Sequence, residues 1–225
     1  MKKIVIGLSG GMDSTTLLGM LLEQGYEVHC CNFQYGSKHN VYERQSFVNI
    51  IDWYEAQGFS VIPHYFDLRG VFSNFSSNLL LSGGEIPEGH YKEESMKTTV
   101  VPGRNTIFAS IMIGLAETIN AVGIALGVHS GDHHIYPDCR EDYIIRLNMM
   151  VKSATENKVI VITPLLSLDK TSILKRGYAL TPPVPYFLTR TCYKNQQLSC
   201  GKCGSCVERL EAFANVKIID PICYE

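Results

Sequence analysis

A compact apolar run over residues 3–8 leads directly into a glycine-rich turn and then into a helical pattern. The run has the length and composition of a buried strand, and Leu17, Leu18, Leu21 and Leu22 recur at helical spacing after the turn. Strand and helix patterns keep alternating along the chain, which is typical of a parallel sheet covered by helices on both faces. The sequence therefore predicts an α/β fold with a Rossmann-like, doubly wound and mostly parallel five-stranded sheet.

The same alternation divides most of the chain into elements. Further strands are predicted over residues 27–33, 60–66, 123–128 and 159–163, and helices over residues 14–24, 37–57, 105–120, 140–155 and 168–178. In the second of these helices, Val41, Val48, Ile51 and Tyr54 are expected to form the buried face. Residues 67–101 lack a regular pattern, and a connection this long in a compact domain is usually functional or mobile.

Length and charge limit the classes of protein to which the chain can belong. Its 225 residues fit an α/β domain over residues 1–185 and a small helical tail over residues 186–225, packed together as one catalytic unit. A net charge of -2 lacks the Lys/Arg excess of strong nucleic-acid binders, so direct binding to nucleic acid is not expected. No stretch approaches the ~20 apolar residues of a membrane helix. We therefore expect a cytoplasmic protein with no membrane contact.

The glycine-rich turn reads SGGMDS over residues 9–14. Two glycines let the backbone approach an anion closely, and the N–H groups at a helix start point at phosphate. The hydroxyls of Ser9, Ser14 and Thr15 can add donors, and Asp13 can help to hold Mg²⁺ between phosphate oxygens. The turn is not a Walker A loop, but it resembles the pyrophosphate loop of the ATP pyrophosphatases. A glycine-rich turn without a ligand is the alternative.

Four of the eight cysteines cluster near the end of the chain with the spacing C-x7-C-x2-C-x2-C. They are Cys192, Cys200, Cys203 and Cys206. Clustered cysteines in a reducing compartment more often bind metal than form disulfides, and four thiolates suit a closed, structural zinc site. A redox C-x-x-C pair and an iron–sulfur cluster are the alternatives. Cys30, Cys31 and Cys139 are expected to be packing residues.

Polar residues follow several predicted strands, at the sheet edge where doubly wound folds bind ligands. Arg104 can bind a phosphate or carboxylate bidentately. Asn105 is expected to cap the helix that follows. His39 and Glu43 are four residues apart and share a helix face, and Lys170 can neutralise phosphate charge. Each of these residues also has an ordinary structural explanation as a loop, cap or solvated surface residue.

The segment over residues 127–140 is crowded with polar side chains after the fourth predicted strand. They are Asp132, His133, His134, Tyr136, Asp138 and Arg140. Two adjacent histidines in a loop do not by themselves make a metal site. We therefore interpret the segment as a substrate-binding loop.

Five motifs together resemble one family, the 7-cyano-7-deazaguanine synthases, often called QueC. They are residues 9–16 (SGGMDSTT), Tyr35-Gly36 with His39 and Glu43, residues 101–105 (VPGRN), residues 136–140 (YPDCR), and the cysteine tail with residues 211–213 (EAF). The match runs in order from Met1 to about Phe213, and the combination is far more specific than any single motif.

The resemblance implies an ATP-dependent carbon–nitrogen ligase of the nitrile synthase type. It would convert 7-carboxy-7-deazaguanine and ammonia to 7-cyano-7-deazaguanine through an adenylated acid and an adenylated amide, for queuosine, archaeosine or a related modification of DNA. ATP, Mg²⁺ and Zn²⁺ are the implied cofactors. Free ammonia is the implied nitrogen donor, and a homodimer is the implied assembly.

The resemblance also assigns roles to individual residues. The residues implied to bind ATP are Leu8, Ser9, Gly10, Gly11, Met12, Asp13, Ser14, Thr15, Thr16, Leu17 and Leu18. The implied catalytic residues are Asp13, Arg104, Lys170, Asp132, Asp138 and Arg140. The implied substrate-binding residues are Tyr35, His39, Asn105 and Tyr136. Among them, Arg104, Lys170 and Arg140 would stabilise anions, and Asp132, Tyr136 and Asp138 would orient the base.

Three other functions would use much of the same sequence. A relative can stop at the amide or join the activated acid to another amine. A tRNA sulfur-transfer enzyme shares the pyrophosphate loop but needs an RNA-binding region and a sulfur-carrying cysteine. A nucleotide sensor or zinc-stabilised scaffold would bind ATP without releasing AMP and pyrophosphate.

Overall fold

The computed structural model describes residues 1–225, apart from the side chain of Asp132, which lies outside the described residues. One sheet is formed by β1 (Lys3–Gly7), β2 (Glu27–Gln34), β3 (Val61–Asp67), β4 (Gly123–Ala125) and β5 (Ile160–Ile162). The strands pair in the order β3-β2-β1-β4-β5, and these pairings are all parallel. The predicted fold class is confirmed.

Helices follow the strands and cover both faces of the sheet. They are α1 (Met12–Glu23), α2 (Asn40–Ala56), α3 (Arg69–Phe72), α4 (Arg104–Thr118), α5 (Glu141–Ala154), α6 (Lys170–Tyr178) and α7 (Gly204–Asn215). Short 3₁₀ helices lie at Glu94–Thr99, Ser130–His134, Pro137–Cys139 and Tyr186–Leu188. Within the described residues, no helix has both the length and the apolar character needed to cross a membrane.

The central strand β1 separates two hydrophobic cores. Ile4 and Ile6 pack with residues of α1, α2, α6 and α7, whereas Val5 packs with residues of α4 and α5 on the other face. All three side chains are fully buried. Because strand side chains alternate between the faces and helices cover both, β1 needs the continuous apolar run seen in the sequence.

Helix α2 begins later than predicted, and Val41 does not belong to its buried face. Asn40 Oδ1 accepts hydrogen bonds from the N–H groups of Gly36 and Ser37, both at 2.9 Å, so a turn precedes the helix. The buried hydrophobic residues of the helix are Phe47, Ile50, Ile51 and Tyr54. These follow the helical repeat, and Val41, six residues before the first of them, falls off the stripe. It is 71% exposed, so its predicted burial is wrong.

Helix α4 begins at Arg104 and is not capped by Asn105. Gly103 precedes it with φ +63°, in the left-handed region that favours glycine. Asp138 supplies the cap, because its Oδ2 accepts a hydrogen bond from the backbone N–H of Asn105 at 3.2 Å. The predicted cap is therefore wrong, since a carboxylate from a distant segment takes its place.

The irregular segment predicted over residues 67–101 packs against the C-terminal tail. Phe72, Leu79 and Val101 join the four clustered cysteines in a third hydrophobic cluster. The backbone of Glu88 bridges that of Cys203. This segment therefore covers the cysteine cluster and brings it close to the carboxyl end of the sheet.

Candidate active site

The loop between β1 and α1 lies at the carboxyl end of the sheet, where this fold binds ligands. Gly10 has φ +86°, and a Cβ built on it would lie 2.7 Å from the Cβ of Ser46 and 3.1 Å from the carbonyl oxygen of Glu43. A side chain at this position would therefore be both strained and excluded by α2. The loop requires glycine here because it packs closely against that helix.

Hydroxyl groups hold the loop to the start of α1. Ser9 Oγ accepts a hydrogen bond from the Gly11 N–H at 3.2 Å and lies 3.2 Å from Ser14 Oγ. Thr15 Oγ1 donates to the carbonyl oxygen of Gly11 at 2.7 Å. Ser9 and Ser14 line a cavity, whereas Thr15 is fully buried. Two hydroxyls thus face a ligand space, and the third stabilises the backbone.

The cavity has a volume of about 290 Å³ and opens at the ends of β1, β2 and β4. Six residues predicted to bind ATP line it, namely Leu8, Ser9, Gly11, Met12, Asp13 and Ser14. The other five, Gly10, Thr15, Thr16, Leu17 and Leu18, are buried behind this wall. The cavity is also lined by Tyr35, His39, Arg104, Asn105, Tyr136 and Lys170. The structure therefore gathers most of the predicted site residues around one space.

An ion cluster lies at the side of the phosphate loop. Lys170 Nζ lies 3.0 Å from Asp13 Oδ2 and 2.9 Å from Glu208 Oε2. His129 Nε2 lies 3.6 Å from the same oxygen of Asp13. Lys170 is the first residue of α6 and is only 7% exposed. One buried ammonium thus contacts carboxylates from the loop and from the C-terminal helix.

The Asp13 carboxylate is ionised and has one unused oxygen. Burial alone raises its pKa, but Lys170 and His129 outweigh burial, so the pKa of Asp13 lies below its usual value. Its Oδ1 is buried and has no hydrogen-bond partner within the described part of the chain. An ionised carboxylate with an unused oxygen is a suitable ligand for Mg²⁺.

Arg104 enters the cavity between two phenol rings. Its guanidinium carbon lies 6.0 Å from the ring centre of Tyr35 and 5.8 Å from that of Tyr136. Burial, together with the Glu43 carboxylate, raises the pKa of Tyr35 to about 12, so its phenol stays neutral. Arg104 is therefore a cation in a mainly aromatic setting, and its guanidinium can bind an anionic ligand bidentately.

His39 and Glu43 form a pair at the wall of the same cavity. His39 Nε2 lies 3.4 Å from Glu43 Oε2, so the two side chains are on the same side, as predicted, although His39 directly precedes α2. His39 is only 4% exposed, and its Nδ1 has no hydrogen-bond partner among the described residues. The pair is therefore buried, unlike an ordinary surface pair on a helix, and it presents polar atoms to a ligand.

Three predicted catalytic residues are not placed at the cavity by the described structure. Asp138 caps α4 through Asn105 instead of lining the cavity. Arg140 is exposed, and its Nε donates to the carbonyl oxygen of His133 at 3.0 Å. Both residues thus hold neighbouring backbone. Asp132, the third, has its side chain outside the described residues.

The C-terminal tail contributes cavity residues that the sequence interpretation missed. Arg190, Tyr193 and Glu208 line the cavity beside residues of the α/β part. They were overlooked because the tail was expected to serve only as a zinc module. A signal was present for Tyr193, because it directly follows Cys192 of the cysteine cluster, but the spacing gives no signal for Glu208.

The four clustered cysteines meet in one buried site. Their Sγ atoms all lie within 4.8 Å of one another, and those of Cys200 and Cys206 are 4.0 Å apart. A tetrahedral ion with metal–sulfur bonds of about 2.3 Å would hold its ligands about 3.8 Å apart. The sulfur positions therefore fit one metal ion.

Backbone N–H groups point at these sulfurs. Lys194 and Cys200 donate to Cys192 Sγ, both at 3.4 Å. Lys202 and Cys203 donate to Cys200 Sγ at 3.4 and 3.3 Å. Thiolate sulfur, the form that binds metal, accepts such hydrogen bonds. The donor set suits a structural metal site.

Arg190 joins the tail to the phosphate loop. Its backbone N–H donates to the carbonyl oxygen of Gly10 at 2.8 Å. Its guanidinium donates to the carbonyl oxygens of Lys194 and Gln196 at 3.0 and 2.7 Å, just before Cys200. Hydrogen bonds of one residue therefore connect the loop to the segment before the cysteine site.

Comparison with known proteins agrees with this geometry. The family model described as queuosine biosynthesis protein QueC matches residues 3–217. The chain belongs to the QueC family. Among its QueC relatives, the 7-cyano-7-deazaguanine synthase of Pseudoalteromonas atlantica is 41% identical, and the match covers all of this chain and 99% of the relative. The synthase of Marinobacter nauticus is 42% identical over 99% of this chain and 97% of its own length.

Solved structures with the same fold are more distant from this QueC chain. The U34-tRNA thiolase NcsA from Methanococcus maripaludis, with its [4Fe-4S] cluster, is 14% identical with a TM-score of 0.51, and the match covers 96% of this chain and 66% of that one. A 4-thiouridine synthetase, in complex with RNA and bound ATP, is 20% identical with a TM-score of 0.51, over 93% and 50%. At these identities the likeness shows the fold alone.

Proposed function

We propose that this protein is a 7-cyano-7-deazaguanine synthase that uses ATP twice in each catalytic cycle. One observation carries the proposal: in a chain of the QueC family, one cavity is lined by the glycine-rich loop, Asp13, Lys170 and Arg104. Together these groups can bind a triphosphate and a carboxylate side by side. The catalytic gain would come from positioning and from charge stabilisation around the α-phosphate.

ATP would bind with its phosphates on the loop and the first turn of α1. Ser9 and Ser14 offer hydroxyl donors there, and the helix start favours anions. Asp13 Oδ1 would be a Mg²⁺ ligand, because it is ionised, buried and without a partner among the described residues. The Mg²⁺ would neutralise charge between the phosphates, and Lys170 would assist from the neighbouring helix.

The deazaguanine acid would lie beside Arg104. Its carboxylate would pair with the guanidinium, which brings it toward the α-phosphate. The pyrimidine edge of a deazaguanine presents N–H donors, and Glu43 is a cavity carboxylate that can accept them. His39 Nδ1 would supply a further polar contact to the base, and the rings of Tyr35 and Tyr136 would orient it.

The reaction would proceed in two rounds. The substrate carboxylate attacks the α-phosphate, pyrophosphate leaves, and ammonia then displaces AMP to form the C–N bond of an amide. The amide oxygen next attacks the α-phosphate of a second ATP, and a second pyrophosphate leaves. The C–O bond to AMP breaks as the nitrogen gives up its two protons, which leaves the nitrile. Because AMP is a better leaving group than oxide, both the acid and the amide must be adenylated. Both adenylations would use ATP bound at the same loop.

Asp138 and Arg140 would act on this site indirectly. Asp138 would position Arg104 by capping α4, and Arg140 would hold the backbone of the loop over residues 130–134. Asp132 belongs to that loop and remains our candidate for contacting the base. The predicted catalytic roles of these residues thus become supporting roles, except for that of Asp132.

The cysteine site would hold Zn²⁺ with a structural role, because four thiolates leave no open position for substrate. Residues 1–185 and the tail over residues 186–225 would act as one unit, since Glu208 lines the cavity and Phe213 packs in the α/β core. Free thiols are typical of the cytoplasm, which is the location we propose. A homodimer is proposed on the family resemblance.

Mass spectrometry of the product tests the proposed activity. The protein is incubated with 7-carboxy-7-deazaguanine, ATP, Mg²⁺ and ammonium, and we expect the nitrile with two AMP and two pyrophosphate per product. The nitrile would serve queuosine, archaeosine or DNA modification. An amide end point with one AMP per product would contradict the nitrile assignment. Absence of any pyrophosphate release would contradict adenylation itself.

A further inference from the structure

Glu208 connects the cysteine site to the phosphate loop through the buried ammonium group of Lys170. It lies on α7, two residues after Cys206, and it is only 9% exposed. Its Oε2 lies 2.9 Å from Lys170 Nζ, and the same Nζ lies 3.0 Å from Asp13 Oδ2. Three helices, α1, α6 and α7, thus meet at one ammonium group.

The two carboxylates that contact Lys170 lie close to the two proposed binding sites. Asp13 lies in the first turn after the phosphate loop, and Glu208 lies in the second turn of a helix that begins directly after Cys203. A metal ion bound by Cys203 and Cys206 would fix the start of α7. It would therefore fix where Glu208 holds Lys170 relative to the loop.

We propose that Glu208 is a positioning residue that couples metal binding at the four cysteines to nucleotide binding at the phosphate loop. This inference rests on the proposed function, since it takes ATP to bind at the loop and zinc at the cysteines. Coupling between two sites is reciprocal, so nucleotide must stabilise bound zinc as much as zinc favours nucleotide.

Because Lys170 is positively charged, bound nucleotide would act on its ammonium group. Phosphate oxygens entering the cavity attract the ammonium, which Glu208 keeps within reach of the loop. Arg190 also joins the tail to the loop, but its bond to the loop is a backbone hydrogen bond to Gly10, and its guanidinium binds tail carbonyl oxygens instead of Asp13. Removal of Glu208 should therefore interrupt the coupling even though the backbone connection remains.

Zinc transfer to a chromogenic chelator measures this coupling without using activity. The transfer rate is measured with and without Mg²⁺ and the α,β-methylene analogue of ATP, which binds but is not cleaved. Because differences in affinity appear mostly in dissociation rates, we expect the analogue to slow zinc transfer about fivefold or more in the wild-type protein, at the low end of typical equilibrium couplings. In Glu208→Leu we expect a ratio close to one. Glu208→Gln keeps the size without the charge and should give an intermediate ratio.

Glu88→Gln is the matched control. Glu88 is a carboxylate that pairs with Lys194 beside Cys203, but it does not line the cavity. The control should keep the wild-type ratio. If Glu208 had only a structural role, its substitution would speed zinc transfer equally with and without the analogue. The ratio of the two rates would then be unchanged, and the inference would be overturned. If Glu208→Leu fails to fold, an unchanged ratio in Glu208→Gln overturns it as well.

Direct titration of the analogue separates this inference from the proposed function. Binding of the analogue to a zinc-loaded protein, with no effect on zinc transfer, would overturn the coupling and leave the proposed function standing. Failure of the analogue to bind would overturn ATP binding at the loop and this inference with it, whereas purification without zinc would overturn this inference alone.

Discussion

The Lys170 ammonium lies 3.0 Å from the Asp13 carboxylate, although the two residues belong to helices that are far apart in the sequence. The contact brings a cation to the edge of the phosphate loop and keeps the carboxylate ionised. Lys170→Ala should therefore lower kcat/KM by about 10²–10³-fold, since it removes stabilisation of phosphate charge. Pyrophosphate release under steady-state conditions measures this effect.

Lys175→Ala is the comparison for that variant. Lys175 lies on the same helix, but it is exposed and does not line the cavity. Its removal should leave kcat/KM within about twofold. Equal losses in both variants would show that the charge of α6 as a whole, and not the Asp13 contact, supports the reaction.

The lowered pKa of Asp13 predicts a defined pH dependence of stability. Because the folded-state pKa lies below the unfolded value of about 3.9, the Asp13 ion pair stabilises the protein fully above that value. The contribution is lost as pH falls through the folded-state pKa. The difference in free energy of unfolding between wild type and Asp13→Asn should be constant from about pH 7 to 5 and shrink below about pH 4.

Urea unfolding across this pH range measures the difference. Asp52→Asn changes an exposed carboxylate on α2 and should give a much smaller difference at neutral pH. A difference for Asp13→Asn that stayed constant down to pH 3 would mean that the ion pair does not lower the carboxylate pKa.

The substrate carboxylate is predicted to depend on Arg104. Arg104→Lys keeps the charge but loses the bidentate geometry, so KM for the deazaguanine acid should rise by about tenfold or more. The KM for ATP should change much less. Arg146→Lys, in an exposed pair with Asp142, is the control and should change neither value. Equal increases in both KM values would place Arg104 at the phosphates instead.

The outcome at particular residues shows what sequence can and cannot predict here. The strands and the phosphate loop were predictable because burial on both faces and a glycine turn leave local patterns. The predicted burial of Val41 is wrong because Val41 lies on α2 but off the stripe of buried hydrophobic residues that begins at Phe47. The cap by Asp138 and the contact of Glu208 with Lys170 join residues far apart in the chain. Such contacts depend on packing, which no local pattern records.

The cysteine site predicts one bound metal ion per chain. Cys203→Ala should lose the metal and unfold at lower temperature, because a structural zinc site contributes to folding directly. Cys223→Ala removes an exposed cysteine outside the cluster and should keep one metal ion. Metal content by elemental analysis and thermal unfolding measure the two effects. Detection of iron and sulfide in place of zinc would favour an iron–sulfur cluster.

Gly10 gives the sharpest test of the phosphate loop, because another glycine in the chain has a similar positive φ without its close neighbours. Gly10→Ala would place a Cβ 2.7 Å from the Cβ of Ser46 and 3.0 Å from the backbone nitrogen of Phe47, so the loop must shift away from α2. We expect ATP binding to fall below detection in calorimetry. Gly25 has φ +79°, and a Cβ added there would have no atom within 4 Å, so Gly25→Ala should cost only about 1–2 kcal/mol of stability. ATP affinity should be unchanged in that variant. If the two variants bound ATP equally well, the close packing of the loop against α2 would not be what shapes the phosphate site.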